Sequence, residues 1–186
     1  EYLVAQCFEE QMKAYKDRTL DLEILPLPQI TADIFLLKIL ITNILSNSIK
    51  FTREKESARI RVFSKRKEGE IHLYFQDNGM GFDMNYAAHI FEPFSRLENK
   101  EKYEGNGVGL ATVKKICGRL QGRVNIQAFP GKGCEVEIVL PDRMLIAENA
   151  QKEEDAIKIG IIGDLSGMAK KEELGKFYAY HLAAEE

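Results

Sequence analysis

The sequence predicts an α/β fold: a two-layer α/β sandwich, about five strands in one mixed sheet with helices on one face. Three observations carry it. Residues 58–63 and 71–75 alternate apolar with polar side chains, as half-buried antiparallel strands do. Residues 124–128 and 134–140 repeat that pattern around a Pro-Gly-Lys-Gly turn. Helix-period stretches at 31–51 and 107–120 separate the strands, so one layer of helices can cover one layer of sheet.

Leu3, Val4, Cys7, Phe8 and Met12 fit one face of a first helix. Residues 21–25 alternate as a strand, and Pro26 and Pro28 stop it. Thr31 or Asp33 caps a long helix that runs to about Phe51. Its apolar positions, including Leu36, Leu37, Leu40, Ile41, Ile44 and Leu45, lie nearly all round, so deep packing is expected. The run 65–70 reads as a charged hairpin loop, and 77–109 as loop-rich with a short helical stretch near 86–89. The helix at 107–120 turns Leu110, Val113, Ile116, Cys117 and Leu120 inward, and Gly122 is its expected stop. Pro141 closes a unit spanning 1–142. Residues 143–156 read as a charged linker, 157–162 as a buried-type strand and 168–186 as helix.

The chain has 186 residues, 45% hydrophobic and 30% charged, enough for one cored domain plus a fragment. A net charge of -3 gives no reason to expect a nucleic-acid partner. No apolar run approaches the roughly 20 residues of a membrane span. The opening Glu1-Tyr2-Leu3-Val4 lacks a basic region and an initiator Met, as expected of a piece of a longer protein. Cys7, Cys117 and Cys134 are scattered and odd in number, which points to reduced thiols and a cytoplasmic setting.

Three ordered clusters describe a nucleotide pocket. Asn43, Asn47 and Lys50 share one helix face. Asn47 can offer an oxygen to magnesium and Lys50 can neutralise phosphate; the alternative is that they cap or bridge loops. Asp77 ends an apolar strand and, as a pure acceptor, suits the exocyclic amine of adenine. Gly79 and Gly81 let backbone approach a planar base, although Asp-Asn-Gly is also a common turn. Gly105, Gly107 and Gly109 bare the backbone ahead of a helix, where N–H groups bind anions. The polar stretch before them reads as a lid; a glycine-rich loop with no ligand is the alternative. Phe91-Glu92-Pro93-Phe94 reads as an apolar anchor for the lid's root, and Arg96 can reach phosphate or stay solvated. Phe51 can stack on a base or serve the core. His72, His89 and His181 have no neighbours at metal-ligand spacing.

These residues resemble a known family. The stretch from Asn43 through Asn47 and Lys50 to Phe51-Thr52 resembles the N box of sensor histidine kinases. Asp77-Asn78-Gly79-Met80-Gly81 is similar to their first glycine box, Phe91 to Phe94 to their F box, and Gly105 to Leu110 to their second glycine box. The helix and lid text is similar to kinases of phytochrome type. The resemblance implies a catalytic and ATP-binding domain of the Bergerat fold with ATP and Mg2+ as cofactors. It implies Asn47 as magnesium ligand, Lys50 and Arg96 toward phosphate, and Phe51 and Phe91 near the nucleotide. It implies Asp77 on the adenine amine, and Gly79, Gly81, Gly105, Gly107, Gly109 and Leu110 lining the pocket. Related gyrase and chaperone ATPases carry a Glu base where Asn43 stands, so transfer to a protein acceptor is expected over hydrolysis. A hydrolysing ATPase and a non-catalytic nucleotide-binding module are the competing functions. The family's phosphoacceptor, a His followed by an acidic residue on a dimerising hairpin, has no match here. Implied partners are that His-bearing domain, a response regulator or receiver domain, and a second copy in a full-length homodimer. Residues 157–186 resemble the start of a type I periplasmic-binding-like domain; the alternative is an extra strand and helix that dock on the kinase domain.

Overall fold

The computed structural model describes residues 1–15, 18–95 and 106–145. Five strands form one mixed sheet in the order β1-β2-β3-β5-β4. They are β1 (Asp21–Ile24), β2 (Arg59–Lys67), β3 (Glu70–Asp77), β4 (Arg123–Phe129) and β5 (Gly133–Pro141). β1 pairs parallel to β2, and every other pairing is antiparallel. Helices α1 (Tyr2–Met12), α2 (Ile34–Phe51) and α3 (Gly109–Arg119) supply the second layer.

Alternation decides the faces. Ile60, Val62, Ile71, Phe75, Val136, Ile138 and Leu140 point to the helices and close one core with Val4, Leu40, Ile44, Leu45, Ile49, Val113 and Ile116. The opposite face carries Arg61, Phe63, His72, Tyr74, Glu135 and Glu137, one residue out of phase.

Asp33 is the N-cap of α2, with its Oδ1 accepting from the N–H groups of Phe35 (2.9 Å) and Leu36 (3.2 Å). α2 has 18 residues and a mean hydropathy of 1.5, the length and composition of a membrane span. It nevertheless lays Leu40, Ile41, Ile44, Leu45 and Ile49 into the core. Deep packing all round is not what the structure shows. Phe35 and Ile39 stay 47% and 45% exposed, because α1, α3 and the sheet cover only part of the helix.

The expected loop at 65–70 is instead strand on both sides of a two-residue turn. Glu68 and Gly69 take φ of 50° and 75°, the mirror-image turn that matches strand twist. The short helical stretch falls at Met84–Tyr86, earlier than expected, and is 3₁₀. α3 ends in a Schellman motif: Gly122 N–H reaches Cys117 O (2.8 Å) and Gln121 N–H reaches Gly118 O (3.0 Å). The left-handed residue is Gln121 (φ 58°), not Gly122. Gly122 is needed for another reason, since a Cβ there would lie 2.2 Å from Val139 O. The packed unit continues past Pro141. Thr31 N–H donates to Met144 O (2.6 Å), Leu145 bridges to Ile30, and both Met144 and Leu145 pack on the core. The rest of the linker and the strand and helix expected at 157–186 lie outside the described residues.

Candidate nucleotide site

The site is built where the ends of α2, β3 and α3 meet. Asn43, Asn47 and Lys50 are spaced to share one face of α2, and all three are half-buried. Asn43 Nδ2 donates to Ile39 O (2.7 Å), one turn back. Its Oδ1 then faces the start of α3. A Cβ on Gly109 would lie 3.0 Å from that oxygen and 3.8 Å from Asn47 Nδ2. Glycine at 109 therefore lets the first turn of α3 come up against the asparagine stripe. Among the described residues no side chain caps α3, whose N-cap is Val108. Leading N–H groups at such a helix start can donate to an anion.

The other end of the site is Asp77, the last residue of β3. Burial pushes its carboxyl above the usual range, while the N–H groups of Gly79 and Cys134 and the Ser48 hydroxyl pull partly back. The Gly79 N–H to Asp77 Oδ1 bond is 2.9 Å. The turn after Asp77 docks on the end of α2: Met80 N–H donates to Phe51 O (3.1 Å), and a Cβ on Gly79 would sit 2.7 Å from that oxygen. Lys50 Nζ lies 4.3 Å over the Phe51 ring, a cation–π contact at the site's edge. Eight helical steps from Asn43 to Phe51 span about 12 Å, so the site is elongated.

The glycines divide by cause. Gly109 and Gly79 border the site. Gly81 (φ +59°) does not need a base to explain it: a Cβ there would meet Phe129 O at 2.0 Å. The first glycine box is pinned to the β4–β5 turn, where Gly131 N–H reaches Met80 O (2.6 Å). Gly107 (φ +68°) packs under the F box. A Cβ on it would lie 2.6 Å from Ser95 O, and Phe94 N–H donates to Gly107 O (2.9 Å). The F box thus anchors by backbone and by buried Ile90, whereas the Phe94 ring is 78% exposed. Phe91 and Leu110 are half-buried. Arg96, Gly105 and His181 lie outside the described residues.

His89 sits in a turn rather than on an apolar helix, exposed and paired with Glu92 (3.2 Å). His72 is buried on the opposite face of the sheet, its Nδ1 2.8 Å from Glu137 Oε1. That face also holds a cavity of about 560 Å³ between the ends of β2 and β5. Its Arg59 and Arg61 are already paired with Asp21 (3.2 Å) and Glu23 (2.9 Å), so it is a neutralised, solvated groove.

Sequence reasoning missed Ser48, Gly133 and Arg18. Ser48 follows Asn47 and is buried, a polar side chain with no visible partner until β3 is placed beside α2. Gly133 abuts Asp77, where a Cβ would fall 1.9 Å from Asp77 O. Arg18 reaches the end of α2 from 31 residues away, and nothing local marks it.

Comparison with known proteins agrees with this geometry. The family described as histidine kinase-, DNA gyrase B-, and HSP90-like ATPase matches residues 32–144, more than half of the chain. The chain belongs to this family. The ATPase domain is 34% identical to the phytochrome-like protein Cph1 of Synechocystis sp. over 121 residues, 65% of this chain and 16% of that protein. It is 35% identical to the methanogenesis regulatory histidine kinase FilI of Methanothrix harundinacea over 61% of this chain and 13% of that one. The chain therefore spans a small part of its curated relatives. Among solved structures, the mycobacterial sensor histidine kinase MprB matches at TM-score 0.65 and 23% identity over 75% of this chain and 93% of that chain. Full-length ShkA in complex with AMPPNP matches at TM-score 0.65 and 26% identity over 78% of this chain and 30% of that chain. The fold is that of the histidine kinase ATPase domain.

Proposed function

We propose that this domain binds magnesium-ATP and passes the γ-phosphoryl group to a His on a separate dimerisation domain. The observation that carries the reading is the meeting of Gly109 with Asn43 and Asn47. It sets a helix N-terminus beside carboxamides that can offer neutral oxygen to a metal. Among the described residues no group of three or more His, Cys, Asp or Glu side chains is placed to hold a metal. A divalent ion there fits one amide ligand, Asn47, with phosphate and water as the rest. When bound, it neutralises phosphate charge. Lys50 swings from the Phe51 ring to the phosphates, Asp77 takes the adenine amine, and Asn43 holds its place against α3. An amide is a poor base for water, so transfer is favoured over hydrolysis.

The partner reading has structural support of its own. Ile39, Val108 and Phe94 are exposed: Ile39 O accepts from Asn43, Val108 lies between Gly107 and Gly109, and Phe94 N–H donates to Gly107 O. An acceptor must come nearly in line with the γ-phosphate at a few ångströms. An apolar rim beside the phosphate end gives a protein domain something to seal against. The full-length protein is then a cytoplasmic homodimer that passes phosphate on to a response regulator.

The test uses γ-labelled ATP. The domain alone should yield no acid-labile label, because His72 is engaged with Glu137 across the sheet and His89 pairs with Glu92. Adding the His-bearing dimerisation domain should give acid-labile label that disappears with Asn47→Ala. Robust label on the isolated domain, or none in the mixture, would overturn the proposal.

A further inference from the structure

We propose that Arg18 is a positioning residue for the nucleotide site, acting from behind it through the last turn of α2. The proposal rests on the nucleotide reading above. Arg18 follows α1 and precedes β1, far from every motif residue in sequence. Its guanidinium donates through one Nη to the Ile49 carbonyl and through the other to Thr52 Oγ1 (2.7 Å). Ile49 and Thr52 are both fully buried. Lys50 and Phe51 lie between those two anchors, on the side of the helix that faces the site.

That last turn is engaged from every direction. The Ser48 hydroxyl donates to Asp77. The Phe51 carbonyl accepts from Met80 N–H (3.1 Å). The Thr52 hydroxyl lies 2.7 Å from Ser48 O, its acceptor, which leaves its lone pairs for Arg18. Helix ends ordinarily fray because the final carbonyls lack partners. Here a planar fork grips two acceptors three residues apart and fixes how the turn is wound. Its charge also suits the negative end of the helix dipole. A loosened turn would let the Phe51 ring and the Lys50 ammonium wander, and the first glycine box that docks on Phe51 would follow.

The experiment measures magnesium-ATP affinity of this chain by calorimetry, with thermal melts to confirm folding. Arg18→Met should weaken binding about tenfold, the scale of a lost charge-assisted hydrogen bond. Arg18→Lys keeps the charge but spans one acceptor, and should fall between. Thr52→Val keeps Arg18 and removes one anchor, and should also weaken binding, so the test survives if Arg18→Met fails to fold. A purely structural role predicts losses that add to those of any other site change. Positioning predicts that Arg18→Met costs less in a Lys50→Met background than in the parent, because one of the groups it aims is gone. The inference is overturned if the parent binds and folded Arg18→Met and Thr52→Val bind equally well, or if the losses in the Lys50→Met background are additive. A parent that binds no nucleotide removes the functional reading itself.

Discussion

The two faces of the sheet hold their half-buried carboxylates in opposite states. On the outer face, Glu137 feels the upward push of burial, yet hydrogen bonds from Asn125, His72 and Tyr74 hold it down at about 2. On the helix side, the donors around Asp77 do not offset burial, and its carboxyl stays raised. The neighbours follow suit. Outside, Arg123 forks onto Glu70 (2.5 and 2.7 Å), and Phe63 stacks on Tyr74 at 4.8 Å under Lys65. Inside, no described side chain caps the start of α3, and Asn43 Oδ1 faces a glycine. A satisfied buried charge contributes to stability, and an under-satisfied one keeps capacity for a ligand.

The largest test of this contrast is Asp77→Asn. It should weaken ATP binding by more than tenfold, because the carboxylate proposed to accept from adenine is gone. It should also raise the melting temperature of the nucleotide-free domain, since a costly half-buried charge is removed. In the parent, GTP should bind more weakly than ATP, because guanine presents a carbonyl to Asp77. Calorimetry and melts that moved together rather than apart would break the comparison.

Next comes Asn47→Ala, which should abolish the magnesium dependence of ATP binding, with Asn43→Ala having the smaller effect. Titrations with and without chelator measure both. Glu137→Gln should do the reverse of Asp77→Asn. Stability should fall by about 1–3 kcal/mol in denaturant unfolding, with ATP affinity unchanged.

The smallest effect is the pH dependence. Glu137 is depressed in the fold, so its contribution is present above about 4.5 and is lost as pH falls toward about 2. Asp77 is raised, so its contribution is favourable below the ordinary carboxylate value and is lost as pH rises through its folded value. The deficit of Glu137→Gln should vanish in strong acid. The advantage of Asp77→Asn should vanish already near pH 4. Melts of the three proteins across pH would show whether the two differences close in that order.

The meeting of α2 with the start of α3 was legible in the sequence because its residues stand at fixed spacings. Asn43, Asn47 and Lys50 had to share a helix face, and Gly109 had to open a helix. The strands were legible where one face is core. They became illegible where both faces meet water, as at Lys65 to Lys67, whose charges hid a strand that runs to the turn. Cation–π contacts over Phe63 and Tyr74 hold those lysines, and no periodicity announces such contacts. Ser48 and Arg18 were invisible for a different reason. Their meaning comes from partners 29 and 31 residues away, which only the folded chain brings near.

Gly133 has a bearing on how tolerance to substitution should be mapped. Its missing side chain leaves room for the main chain of Asp77, as Gly81 does for Phe129. In a saturation library selected for nucleotide binding, both positions would be nearly as intolerant as Asp77. A footprint drawn from intolerant positions alone would spread across the β4–β5 turn and enlarge the apparent ligand pocket. Inhibitors shaped to that footprint would reach for backbone already committed to backbone.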